Sequence, residues 1–526
     1  MLFLIASLFA RVDAIVNPIT VRNAHFVDSV TGKPFLIKGV DYQPGGSSSN
    51  FEWSDPLSDV ESCARDIYLF QKLGINTVRV YTVNPYLNHD ACMSMLAMAG
   101  IYLVLDVNSP RIGESLNRYE PWTAYSPEYL QRIFQVVEQF SWYNNTLAFF
   151  MGNEVVNDER SASVSPPYIR AVTRDIKDYI RYNSPRIIPV GYSAADDLRY
   201  RIPLADYLTC GDDDSAVDFY GVNSYQWCGE QTFQTSGYDL LVRDHEKFTV
   251  PIFLSEFGCN LVRPRLFQEV EMLFSPAMTH VFSGGLVYEF TQEVNNYGLL
   301  TLDTDGNAHL NPDFDTLREK FSNVVADSST IPVLSRPQPR QKCGTVYDSF
   351  NPSYEEPNSF GTEMIRNGVR IMRGQYLPQL ELRESKYSIY DANGELMTDC
   401  RISAVVALNS ETDVQKSANE TSSFFVPIEP ISTSTKPASG QELINKNQMR
   451  NALPIDSVTQ NKNEVYRTES AAGYAYPHRY RPVEESEPLQ QNVQKYESSS
   501  ISSITHSIWL IALSLFVSFL LALNYQ

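Results

Sequence analysis

Between residues 35 and 290, eight apolar runs of strand length alternate with longer segments of helical periodicity. The runs are FLIKGVDY (35–42), NTVRVYTV (76–83), IYLVLDV (101–107), LAFFMGNE (147–154), RIIPVGYS (186–193), DFYGVNSY (218–225), PIFLSEFG (251–258) and GLVYEF (285–290). Near-continuous apolar character, in place of strict alternation, marks strands covered on both faces, as in a parallel sheet. Helical patterns fill most of the gaps. In LSDVESCARDIYLFQKLG (57–74), Val60, Cys63, Ala64, Ile67, Phe70 and Leu73 recur at helical spacing, and Gly74 supplies the stop. SPEYLQRIFQVVEQFSWY (126–143) opens with a serine cap, Pro127 at the first helical position and Glu128 in the first turn. Eight such units predict an α/β fold, a (β/α)8 TIM barrel. The alternative is an open doubly wound sheet, but no glycine-rich phosphate loop follows the first run.

The barrel accounts for residues 15–345 of the 526. Residues 1–14, MLFLIASLFARVDA, have the apolar core and small-residue end (Val12, Ala14) of a secretory signal. Residues 346–408 contain short β-like runs around DANG (391–394) and suggest a small β extension, either an appended module or strands flanking the barrel. Residues 409–507 are rich in Ser, Thr, Asn, Gln and Glu and read as a disordered stalk. The tail, 508–526, carries the apolar run Ile508–Leu523 after small residues (497–500) and a polar spacer. That order is the signal for a glycosylphosphatidylinositol anchor attached near Ser498, with a retained membrane helix as the alternative. The expected location is therefore outside the cell, held at the membrane by lipid alone.

A formal charge of −20 disfavours nucleic acid as a partner and fits an ectodomain acting on a neutral substrate. Sequons for N-glycosylation stand at Asn144 and Asn419. Seven cysteines in an oxidising compartment predict three disulfides with one left over. There is no C-x-x-C pair and the seven histidines are scattered, so no zinc site and no cofactor are expected. CGDDDSAVD (210–218) lacks EF-hand spacing and reads as a solvated acidic loop.

In a barrel the C-terminal ends of the strands line the active face. Those ends supply Tyr42, Gln43, Tyr81, Asp106, Asn153, Glu154, Tyr225, Glu256, Tyr288 and Glu289. Carboxylates and amides can pair with hydroxyls while tyrosines stack on ring faces, so the set suits a sugar. Glu154 closes the fourth run in GNE and Glu256 the seventh in LSEFG. Glycoside hydrolysis needs such a pair, one protonated to assist the leaving oxygen and one ionised.

The order GNE then SEFG resembles the clan of retaining barrel glycosidases. Further motifs narrow the resemblance: GVDYQPGG (39–46), VRVYTVNP (78–85), SLNR (115–118), FFMGNEV (149–155), VGYSAADD (190–197), CGDD (210–213), DFYGVNSYQWCG (218–229), FLSEFGC (253–259) and VYEF (287–290). Over residues 18–345 the chain resembles glycoside hydrolase family 72, the fungal β-1,3-glucanosyltransferases of the Gas, Gel and Phr type. The resemblance implies cleavage of an internal β-1,3-glucan linkage and transfer of the fragment to the non-reducing end of another glucan, by a monomer. It implies Glu154 as acid/base and Glu256 as nucleophile. By the same resemblance Asn153 would contact the donor sugar and Tyr225 would hydrogen-bond near the nucleophile; Tyr81, Asp106 and Tyr288 fall at donor-side positions, Asp196 and Arg201 at acceptor-side ones, and Gln43 is a weaker match. The segment 108–116 departs from the family wording before rejoining it at SLNR. The resemblance also implies disulfides Cys63–Cys92, Cys210–Cys343 and Cys228–Cys259. Only Cys400 lies beyond them, so the chain resembles the subgroup without the cysteine-rich carbohydrate-binding module. A hydrolytic endo-β-1,3-glucanase would need the same two glutamates, and a wall-binding protein with an inactive barrel is the reading from another class.

Overall fold

The computed structural model describes residues 16–46, 54–324, 331, 336, 338–344, 347, 350, 355–378, 380, 382 and 384–405. The signal segment, the stalk, Asn419, Ser498 and the apolar tail lie outside the described residues. Eight parallel strands close into a barrel: β1 (Ile37–Asp41), β2 (Thr77–Val80), β3 (Tyr102–Asp106), β4 (Thr146–Asn153), β5 (Val190–Ala195), β6 (Phe219–Ser224), β7 (Ile252–Phe257) and β8 (Phe282–Val287). Each pairs with the next, and β8 returns to β1 with Gly284–Val287 opposite Ile37–Val40. Between and after them run α1 (Val60–Leu73), α2 (Asp90–Met98), α3 (Pro127–Phe140), α4 (Pro166–Asn183), α5 (Arg201–Thr209), α6 (Tyr238–His245), α7 (Gln268–Leu273) and α8 (Pro312–Asn323).

Local chemistry sets the element ends. Asp59 caps α1 by accepting from the Glu61 N–H, and Gly74, at φ 69°, ends it by donating its N–H to Gln71 O. Ser126 caps α3 through the Tyr129 N–H, with Pro127 in the first turn. The fifth strand starts at Val190 and not at Arg186, because Pro189 has no N–H to give a ladder. The eighth spans 282–287 and not 285–290. Its Gly284 takes φ 86° so close to β1 that a Cβ there would sit 2.0 Å from Ile37 O, so the glycine pair lies within the strand and does not open it.

The barrel interior is graded from apolar to polar. Near the N-terminal ends, Ile37, Val104, Ala148, Phe150, Phe219, Phe253 and Leu286 form one buried cluster. An antiparallel hairpin, Ile19–Arg22 with His25–Asp28, closes that mouth. Its Phe26 packs on Phe219 and Phe253 at ring-centroid distances of 5.6 and 6.0 Å. Its strands are too short and too mixed in polarity to stand out in the sequence. Outside the barrel, Phe134 of α3 stacks on Tyr179 of α4 at 4.5 Å.

Residues 355–405 run along the outer helices. Gly374 N–H donates to Gln139 O, Gln375 N–H to Asp90, and Leu377 N–H to Ser94 Oγ. Ile389–Tyr390 adds a short strand parallel to Ala308–Leu310, in a sheet that also holds Leu300–Leu302. The three disulfides are Cys63–Cys92, Cys210–Cys343 and Cys228–Cys259, with Cys400 free. Cys228–Cys259 joins the loops after β6 and β7. Asn144 is half-buried in the turn before β4.

Candidate active site

One residue organises the C-terminal mouth. Arg79 on β2 is fully buried and its fork bonds to three other strands. Nε and Nη2 each donate at 3.0 Å to the two oxygens of Asp106 on β3, and Nη2 also donates at 3.0 Å to Asn153 Oδ1 on β4. Nη1 donates at 3.2 Å to Glu256 Oε1 and to Ser255 O on β7. The guanidinium lies over the Tyr81 and Phe150 rings at 4.3 and 4.6 Å. A planar fork is required here, since a point charge could not serve these partners in one plane.

Glu256 is buried, and three donors converge on its two oxygens. Oε1 accepts from Tyr81 Oη at 2.8 Å as well as from Arg79, and Oε2 accepts from Tyr225 Oη at 2.7 Å. That arrangement satisfies an ionised carboxylate.

Glu154 follows the last residue of β4. Its φ of 45° lies in the left-handed region that non-glycine residues seldom occupy, and its N–H donates to Ser193 O at 2.8 Å. Such strain persists only where the surroundings impose it. The side chain accepts from Asn223 Nδ2 at 2.8 Å, and the same amide nitrogen donates to Asn153 Oδ1 at 3.1 Å. Asn223 Oδ1 is fixed in turn by Ser193 Oγ and Ser255 Oγ, at 3.0 and 2.8 Å. A hydrogen-bonded chain therefore links the two carboxyls, Glu154–Asn223–Asn153–Arg79–Glu256. Burial pushes the Glu154 carboxyl above the ordinary glutamate range, and the charge of Glu256 adds to the shift.

With Oδ1 of Asn153 taken by Arg79 and Asn223, its NH2 is the part left to meet a ligand. Tyr225, Tyr288 and Tyr297 pack edge to face at 5.2–6.2 Å and form an aromatic wall beside Glu256. The Tyr288 hydroxyl accepts from Asn295 Nδ2 at 3.1 Å. Glu289 lies buried behind it, its carboxyl pushed up to about 8 by burial, with the charges of Glu293 and Glu256 adding to the shift.

The structure thus brings together Tyr81, Asp106, Asn153, Glu154, Tyr225, Glu256 and Tyr288. Asp196 and Arg201 bond to each other at 2.6 Å on the β5–β6 side, where Ser224 Oγ holds the second Asp196 oxygen at 2.8 Å. Gln43 braces the backbone just after β2. It is buried, its Oε1 accepts from the Tyr81 and Thr82 N–H groups at 2.9 and 3.0 Å, and its Nε2 donates to Thr82 O, so it positions Tyr81. Arg79, Asn223 and Tyr297 are absent from the sequence-derived set. For Arg79 a signal exists: a lone arginine inside an apolar strand must be paired if the strand is buried.

The chain resembles known proteins in sequence and in fold. The family model described as Glucanosyltransferase, of glycoside hydrolase family 72, matches residues 8–325. The 1,3-beta-glucanosyltransferase GAS4 of Saccharomyces cerevisiae is 54% identical over 402 residues, covering 75% of this chain and 85% of that protein. The 1,3-beta-glucanosyltransferase gel2 of Aspergillus fumigatus is 42% identical over 427 residues, covering 80% and 90%. A mutant of Saccharomyces cerevisiae Gas2p, solved in complex with laminaritetraose and laminaripentaose, superposes with a TM-score of 0.59 at 36% identity, covering 65% of this chain and 76% of that one.

Proposed function

The chain belongs to the glucanosyltransferases of glycoside hydrolase family 72, and from that membership we propose how its residues divide the work of a retaining β-1,3-glucanosyltransferase. The observation that carries the assignment is the linked pair, one carboxyl half-buried with a raised proton affinity and one held as an acceptor by three donors.

In the first step Glu256 attacks the anomeric carbon of an internal β-1,3-glucosyl linkage. Oε1 already carries two donors, so Oε2 is the attacking oxygen and Oε1 becomes the ester carbonyl. Glu154 protonates the departing oxygen, and a covalent glucosyl ester results. Asn153 presents its NH2 to the donor sugar, and the tyrosine wall stacks on it. In the second step Glu154, now ionised, takes a proton from the 3-hydroxyl of an acceptor glucan, which attacks the ester. Asp196 and Arg201, on the β5–β6 side, shape the acceptor side. Water at about 55 M competes, but a well-oriented hydroxyl can reach an effective molarity of roughly 10⁵ M or more, so positioning decides for transfer.

A reduced laminari-oligosaccharide incubated with the purified protein tests this reading. Products longer than the substrate are expected; exclusively shorter products make the protein an endo-β-1,3-glucanase, and unchanged substrate with tight binding makes it a wall-binding protein.

The raised proton affinity of Glu154 has a signed consequence. The acid must carry its proton, so kcat/KM on glucan is retained above the ordinary glutamate range and falls as pH rises through the Glu154 titration. Glu154→Gln should be inert on glucan yet release one equivalent of fluoride from laminaribiosyl fluoride, whose leaving group needs no proton, without that alkaline fall. Persistence of the fall in the variant would assign it to another group.

We place the protein outside the cell, and its three disulfides support an oxidising compartment. The apolar runs at 2–10 and 508–523 support secretion and a lipid anchor near Ser498.

A further inference from the structure

Beneath Glu256 lies a carboxyl that the reaction does not touch. Asp41 ends β1, is fully buried, and neither of its oxygens accepts a hydrogen bond. The groups facing it are Arg79 and Tyr81 from β2, Asp106 from β3, Glu256 from β7, Tyr225 after β6 and Tyr288 after β8. One guanidinium therefore serves three carboxyls. Asp106 takes two charge-assisted bonds from it and Glu256 takes one, along with two tyrosine hydroxyls. Asp41 stands 3.9 Å from Arg79 Nη1 and receives no donor. Three buried anions around one cation are strongly disfavoured, and the carboxyl without donors is the one that keeps its proton.

The Tyr81 hydroxyl gives that proton a destination. It faces Asp41 as well as Glu256, and its single hydrogen goes to Glu256 Oε1 at 2.8 Å. What it turns to Asp41 is a lone pair, which only a protonated carboxyl can use.

We propose that Asp41 is a positioning residue that works as a neutral acid, its proton turned to the Tyr81 oxygen, so that the charge of Arg79 stays on Asp106 and Glu256. The chain Asp41–Tyr81–Glu256 then polarises in one direction, toward the oxygen that becomes the ester carbonyl. Burial, augmented by the charges of Glu256 and Asp106 and only partly opposed by Arg79 and the Tyr81 hydroxyl, holds the Asp41 carboxyl well above the ordinary aspartate range. The functional half of the inference rests on Glu256 being the nucleophile; the protonation of Asp41 does not.

Two variants test it on the purified protein. Asp41→Asn keeps the shape and the neutral charge, and kcat should stay within about threefold with KM unchanged. Asp41→Ala removes the group, and kcat should fall about tenfold or more at unchanged KM, because Asp41 meets no sugar. The second readout is the melting temperature against pH. The folded wild type keeps a proton that the unfolded chain releases above about pH 4. Its stability therefore falls as pH rises from there toward the folded titration, while Asp41→Asn has no such loss. The melting-temperature advantage of the variant should widen by about 2 °C per pH unit from pH 5 upward. Parallel melting curves would show Asp41 ionised in the fold and overturn the proposal, whichever residue attacks the sugar. Loss of kcat in Asp41→Asn as deep as in Glu256→Gln would show that its charge is needed and overturn it too. Unchanged kcat in folded Asp41→Ala would remove the positioning role.

Discussion

Replacing Glu256 with glutamine is expected to lower glucanosyl transfer by roughly 10³-fold or more while leaving the barrel folded. An amide oxygen is too weak a nucleophile to form the glucosyl ester, so the loss falls on kcat. The fold should tolerate the change, because the glutamine oxygen can still accept from Tyr81 and Arg79 while its NH2 turns to Tyr225, whose hydroxyl can accept. The melting temperature should stay within about 1 °C of wild type, a shift worth less than about 1 kcal/mol. Transfer at near wild-type rates by a folded variant would remove Glu256 from the chemistry.

Replacing Arg79 with methionine should damage both activity and stability. The variant leaves Asp106 without its two donors, removes one donor each from Glu256 and Asn153, and strands buried carboxylates without a counter-charge. Breaking a buried ion pair from one side costs about 3–5 kcal/mol. For a chain of this size that lowers the melting temperature by about 5 °C. Activity should fall by about 10²-fold or more, because Asn153 and Glu256 lose their common tether. Arg79→Lys keeps the charge without the fork, so it should recover most of the stability and little of the activity. A methionine variant as stable as wild type would show that Arg79 is not the hub of the mouth.

The contrast between these two residues shows what the sequence made legible. Glu154 and Glu256 stand where apolar runs break into polar residues, and a barrel delivers such ends to one face. Arg79, Asp41 and Asn223 sit within their strands, where a polar residue also reads as one rung of a solvated face. Only closure of β8 onto β1 places them inside. Gln43 was legible as a strand-end amide, but the direction of its side chain, toward the Tyr81 and Thr82 backbone, depends on β2 lying next to it. The hairpin at the opposite mouth was invisible for a similar reason. Its strands are four residues long with mixed polarity, and it is the contact of Phe26 with two barrel aromatics that holds it in place. The positive φ of Glu154 left no trace in its residue type, since glycine would be the usual choice there.

In this mechanism the sugar becomes covalently attached to the carboxyl held by Tyr81, Arg79 and Tyr225. Its most direct test is trapping with a 2-deoxy-2-fluoro laminaribiosyl fluoride, followed by proteolysis and mass spectrometry of the labelled peptide. One sugar per chain is expected, esterified to Glu256 in the peptide that carries LSEFG. A label on Glu154, or steady turnover of glucan by protein that never takes up the label, would contradict it.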